Sequence, residues 1–114
     1  MKYVLNKCYG GFSVSKEVYD KLGYEWDGFG FLSDFCDDVS KEVIGQEVGY
    51  LYSSNPIIRS HPRLIKSVEE VEAEGKDPSG RFANLVIVEV PDDVKVEITE
   101  YDGIETLEEV HRSW

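Results

Sequence analysis

Residues 84–101, NLVIVEVPDDVKVEITEY, constrain the fold of this chain more than any other stretch. Apolar side chains fall on both faces of 84–90, which predicts a central strand. Residues 94–101 alternate instead. Val94, Val96 and Ile98 share one face, and Lys95, Glu97 and Thr99 the other, as in a half-buried antiparallel strand. Between them, Pro91 at the second position with Asp92 after it suits a type I turn. "KYVLNKC" (2–8) supplies a further strand, with Tyr3 and Leu5 on one face and Val4 and Asn6 on the other. It is expected to pair beside 84–90.

Helical signals fill the rest. In 13–23, Val14, Val18 and Leu22 make a stripe, Ser13 or Ser15 can cap, and Gly23 suits the far end. The clearest helix is 60–75: Pro62 belongs at its first position, His61 falls at the N-cap, and Leu64, Val68 and Val71 form its buried stripe. Residues 33–47 are ambiguous. Phe35, Val39 and Val43 fit a helix with Asp34, Asp37 and Asp38 in its first turn, yet Gly45 and Gly49 interrupt it, and "VGYLY" (48–52) reads equally as a strand. Asp102 and Glu105 match a D-x-x-E capping box, which predicts a last helix with Leu107, Val110 and Trp114 on its stripe. A chain of 114 residues has room for one core, and no linker or repeat divides it. The expectation is a single domain over 1–114. Its class is α+β, a small antiparallel sheet of three or more strands with two to four helices packed mainly on one face.

The chain carries 23 acidic and 12 basic residues, a net charge of −11. That sign repels nucleic acid and anionic lipid, so neither direct nucleic-acid binding nor a membrane partner is expected. Two readings of the acidity stand: a soluble surface, or a decoy for a groove that binds nucleic acid. The acids spread along the whole chain and are densest in its last third. The start lacks the long apolar core of a leader, and no apolar run is long enough for a membrane span, so a cytoplasmic protein with reduced thiols is expected.

The candidate chemistry is sparse. Cys8 and Cys36 with His61 and His111 match no metal-ligand spacing, and no cofactor motif occurs, so neither metal nor cofactor is expected. Cys8 reads as a small buried hydrophobe or, with a histidine beside it, as a nucleophile. "CYGGF" (8–12) lacks the spacing of a phosphate loop; Gly10 and Gly11 suit a turn that could also lend backbone N–H groups to a ligand. "RSHPR" (59–63) is the most informative stretch. Arg59, His61 and Arg63, with Lys66 nearby, make a basic island at a helix start, where free N–H groups favour an anion. The competing reading pairs these arginines with the chain's own carboxylates. Trp26, Phe29 and Phe31, on a Gly-flanked loop after Tyr24, suit core filling, the stacking of a base, or a protein interface.

"KYVLNKCYGGFSVS", "RSHPRLI" and "VEVPDDVKVEITEYDGIETLEEVHRSW" together resemble a group of small uncharacterised proteins of tailed bacteriophages and prophages. The stretch 24–56 does not take part in the resemblance. His61 stands where that group carries Asp before the Pro-Arg-Leu-Ile run. The resemblance implies a non-enzymatic binding protein in the cytoplasm of an infected bacterium, with counter-defence as one role. Two routes follow. One is sequestration of a small phosphate-bearing molecule, such as a nucleotide, by the Arg59–Arg63 island and the Gly10–Gly11 backbone, in a pocket that an oligomer could share. The other is inhibition of a host defence or nucleic-acid-processing protein by an acidic surface that mimics nucleic acid.

Overall fold

The computed structural model describes residues 1–44 and 51–110. In chain order the elements are β1 (Lys2–Asn6), α1 (Lys16–Leu22), α2 (Ser33–Ile44), α3 (Pro56–Arg59), α4 (Pro62–Ala73), β2 (Leu85–Glu89), β3 (Val96–Tyr101) and β4 (Ile104–Glu109). The class is α+β. The expected pairing of the first strand with 84–90 is present: β1 and β2 run antiparallel, with Tyr3 opposite Val88 and Leu5 opposite Val86.

The sheet itself differs from the expectation. Among the described residues there are two antiparallel sheets of two strands each, β1–β2 and β3–β4, not one of three or more. β2 therefore lies at an edge, although its apolar pattern suits a centre. The chain leaves it through a turn closed by Val94 N–H donating to the Pro91 carbonyl at 3.3 Å, which puts Pro91 at the first position and not the second, and β3 joins a different partner.

The second difference is β4. The segment after Asp102 is a strand, not a helix. Asp102 and Gly103 adopt φ of 51° and 92°, both left-handed, as a two-residue hairpin turn requires. Ile104 and Thr106 are β-branched and suit the extended chain. The Glu105 carboxylate turns to Arg59 instead of capping a helix. The stripe residue Trp114 and candidate His111 lie outside the described residues, as does most of "VGYLY".

The helices follow their signals. Ser15 caps α1, its Oγ accepting from Val18 N–H, and Gly23 ends it at φ 86°. His61 caps α4 with Pro62 at the first position, and Leu64, Val68 and Val71 are buried. Residues 33–44 resolve the ambiguity as a helix: Phe35 and Val39 are buried, while Val43 is exposed. One core joins Val4 and Leu85 of the first sheet to Val18, Phe35, Val39, Ile58, Leu64 and Val68 of the helices. Burying each such side chain is worth about 1.5–3 kcal/mol. No helix among the described residues is long and apolar enough to cross a membrane.

Candidate functional site

The basic island does not assemble as a site. Arg59, at the end of α3, is 1% exposed. Its Nη1 donates to Glu105 Oε1 at 2.5 Å and to the Val4 carbonyl at 3.0 Å; its Nη2 donates to Glu105 Oε2 at 2.6 Å. Its Nε donates to the Ser53 carbonyl, and its guanidinium lies 3.5 Å from the centroid of the Phe12 ring. Every face of this cation is thus occupied by the protein. His61 fills the start of α4 itself, its Nδ1 accepting from Arg63 N–H at 3.2 Å while Nε2 meets Glu42 at 3.3 Å. Arg63 donates to the Tyr24 hydroxyl and sits 3.6 Å from Glu42; Lys66 sits 3.8 Å from Glu70. A shallow hollow of about 240 Å³ lies between Lys21, Arg63 and Lys66, but Glu70 lines it too, and Lys21 is held by Glu74 at 2.7 Å. The competing reading, pairing with the chain's own carboxylates, describes these residues.

The glycine turn leads to a better-formed site. Gly11 adopts φ of 86° and its N–H donates to the Cys8 carbonyl at 3.4 Å. Gly10 is glycine for a different reason. A Cβ there would lie 2.1 Å from the Phe82 carbonyl oxygen and 2.2 Å from Phe82 Cβ. The turn therefore packs directly on Phe82. Buried Asn6 fixes its other end, donating to the Cys8 and Gly103 carbonyls at 2.7 Å each and accepting from Asn84 N–H at 2.9 Å.

Against this turn lies a cleft of about 290 Å³, lined by Gly10, Phe12, Phe29, Phe31, Arg81 and Phe82. Phe29, Phe31 and Phe82 are 65%, 54% and 63% exposed, an arrangement that burial would not produce. The Phe29 and Phe31 rings are stacked, 5.5 Å apart and within 5° of parallel. Trp26 turns inward instead, edge-on to Tyr19 at 5.1 Å, and belongs to the core side of the loop. Arg81 lies 5.2 Å from the Phe82 ring and pairs with no carboxylate among the described residues.

Asp27 holds the stacked rings in place. Its Oδ1 accepts from Phe29 N–H at 2.7 Å and Gly30 N–H at 2.6 Å; its Oδ2 accepts from Phe31 N–H at 3.2 Å and from the Tyr19 hydroxyl at 3.0 Å. Partial burial works against its charge, but the hydrogen bonds from Gly30, Phe29, Phe31 and Tyr19 outweigh it, and the carboxyl lies below its ordinary pKa. Tyr19 in turn accepts from Leu32 N–H at 2.7 Å, and burial first of all raises its hydroxyl well above the ordinary value. Gly30 has φ of 90°, and a Cβ would lie 2.1 Å from the Val14 carbonyl oxygen, so the loop is pinned on its inner side. The rings are presented by a loop whose backbone is fixed before any ligand arrives.

Cys8 is half-buried and no hydrogen bond joins it to His61, which is committed to Glu42 and packs edge-on to Phe35. Among the described residues no three His, Cys, Asp or Glu side chains converge as metal ligands. The aromatic loop and the Gly pair are legible in sequence as separate features. Arg81 ends KDPSGR (76–81), which composition marks only as loop, Phe82 follows it, and nothing local announces that Gly10 seats Phe82. No family model matches this chain, and no curated protein or solved structure shows significant similarity to it.

Proposed function

We propose that this chain is a non-enzymatic binding protein that captures a small molecule bearing both a flat ring and a phosphate in the aromatic cleft. One observation carries the reading: Arg81, which pairs with no carboxylate among the described residues of a chain of net charge −11, borders a cleft walled by the exposed Phe29, Phe31 and Phe82 rings. A nucleobase would stack on a phenyl ring, worth about 1–3 kcal/mol per stacked base. Its phosphate would take two hydrogen bonds from the Arg81 guanidinium. The ligand class is the one expected from the basic island, moved to a different cation. Read with the resemblance to phage proteins, capture of this kind would act in counter-defence by withdrawing a phosphate-bearing host molecule.

Calorimetric titration with adenosine 5′-monophosphate, adenosine and inorganic phosphate tests this. The nucleotide is expected to bind more tightly than either part, with Phe31→Ala and Arg81→Ala each weakening it about tenfold. Equal binding of nucleotide by the wild type and both variants would sink the proposal.

A second reading, an acidic mimic of nucleic acid, is favoured by one feature of the β3–β4 hairpin. Glu97 and Glu108 stand directly opposite each other, both exposed. Like charges held across a ladder cost stability. A partner that answers them would be released by salt, and loss of that partner in Glu97→Gln/Glu108→Gln would identify the surface.

A further inference from the structure

The outer edge of β2 is an open strand edge, and the register says which groups it offers. Lys7 N–H donates to the Asn84 carbonyl and Val90 N–H to the Met1 carbonyl, so the bonded pairs of the ladder join odd residues of β1 to even residues of β2. On β1 the outward groups are taken, the Val4 carbonyl by Arg59 and the Asn6 N–H by Glu105. On β2 the outward groups belong to Leu85, Ile87 and Glu89. The Leu85 N–H donates to Ser79 Oγ at 2.9 Å. The N–H and C=O of Ile87 and the N–H of Glu89 have no partner among the described residues.

The strand is little guarded as an edge: its sequence LVIVE has no proline and no lysine, and Glu89 is its one charge. Val86, Ile87 and Val88 are each only half-buried. Beside the edge runs a groove of about 480 Å³ whose floor is Leu85, Val86 and Ile87 and whose wall is Glu69 and Glu72 of α4. Glu69 meets Lys2 at 2.8 Å; Glu72 has no ion pair among the described residues.

We infer that this edge accepts an extended segment of a partner protein as a third strand, with basic side chains on the α4 face against Glu72 and Glu69 and apolar side chains on the opposite face beside Val86 and Val88. Main-chain bonds to Ile87 and Glu89 supply the register, and the groove reads alternate side chains. Charge selects the occupant. A second copy of this chain would bring its own Glu69, Glu72 and Glu89 to the same edge, and like charges at an interface oppose docking. The added strand would give β2 the central place that its two apolar faces match. This edge shares no residue with the aromatic cleft, so the two proposals stand or fall separately.

The test uses the full chain and a nine-residue peptide alternating valine and lysine, with a valine–glutamate peptide as control. Expected results are saturable binding of the lysine peptide alone, slowed hydrogen exchange at the Ile87 and Glu89 amides, and binding weakened about fivefold in Glu72→Lys, as for a partly screened charge pair. Glu72 is exposed, so that variant keeps the fold; Ile87→Pro, which removes an outward donor but no ladder bond, is expected to abolish binding. If the lysine peptide fails to bind, binds without protecting Ile87, or is matched by the glutamate peptide, the inference is overturned. Concentration-dependent dimerisation that protects Ile87 would assign the edge to a second copy and overturn it too.

Discussion

Arg59 and Glu105, 46 residues apart, meet through two parallel hydrogen bonds of 2.5 and 2.6 Å in the interior. The carboxylate has a third bond, from Asn6 N–H at 2.8 Å, and the guanidinium has Val4, Ser53 and the Phe12 ring. The pair therefore fastens the end of α3, the outer edge of β1 and the start of β4 at one point. Burying two charges is costly, and this geometry meets the conditions under which the mutual attraction offsets that cost.

Removing one partner leaves the other charged and buried. Arg59→Ala is expected to destabilise the fold by about 3–5 kcal/mol, read from the urea midpoint. Glu105→Gln keeps the shape but leaves the Arg59 charge unanswered and turns an amide NH2 toward one of the donors, so a loss of similar size is expected. A double-mutant cycle should show strong coupling between the two positions. A ligand-binding arginine would behave oppositely, losing affinity at unchanged stability, and that outcome would restore the basic island as a site.

The contrast explains what the sequence could and could not tell. Periodicity and caps are local, and they located β1, β2, α1 and α4 with Ser15, His61 and Gly23 in their roles. Arg59 and Glu105 lie on different elements, so no local pattern shows that they meet. A D-x-x-E spacing before an apolar run suits a helix cap, yet Asp-Gly between alternating residues is also the strongest short hairpin signal. Long-range capture of Glu105 decides between them. The cleft shows the same limit: Phe29 and Phe31 are visible as loop aromatics, but their meeting with Phe82 depends on the close packing of Gly10.

The hairpin turn gives a second prediction. Gly103 has φ of 92°, and a Cβ there would lie 2.3 Å from the Tyr9 carbonyl oxygen and 2.7 Å from Gly11 N. Gly75 also has a left-handed φ, 78°, but an added Cβ would meet nothing within 4 Å. Gly75→Ala should therefore cost about 1 kcal/mol of backbone strain. Gly103→Ala adds a clash with backbone and should cost at least about 2 kcal/mol more. Equal melting temperatures for the two variants would contradict the close approach of the two turns.

The thiols should separate cleanly. Cys36 is 2% exposed, and burial pushes its pKa up to about 11 despite the nearby Arg59 charge. Cys8 is only half-buried. Thiolate is the reacting form, and access is needed as well. Alkylation of the native chain at pH 8 is expected to modify Cys8 alone, with Cys36 following only in denaturant. Mass mapping of the alkylated peptides checks this, and native labelling of Cys36 would show that the core around α2 opens.

Asp27 links the cleft to pH. Its folded pKa lies below the ordinary 3.8, because the N–H groups of Gly30, Phe29 and Phe31 and the Tyr19 hydroxyl favour the charge more than burial opposes it. A depressed carboxyl contributes stability that is present in full above the unfolded value and is lost as pH falls through the folded one. The contribution should be intact near neutrality and disappear below about pH 3.8. Asp27 is exposed, so water screens its bonds, and about 1 kcal/mol is a fair size for the loss. Urea midpoints of wild type and Asp27→Asn should thus differ at pH 6 and converge toward pH 2. The same substitution loosens the backbone under Phe29 and Phe31, whose N–H groups both donate to this carboxylate. Nucleotide affinity at neutral pH should fall with it, while the melting temperature moves by only a few degrees. If affinity stays unchanged in a folded Asp27→Asn chain, the stacked rings are not the platform, and the cleft loses its part in binding.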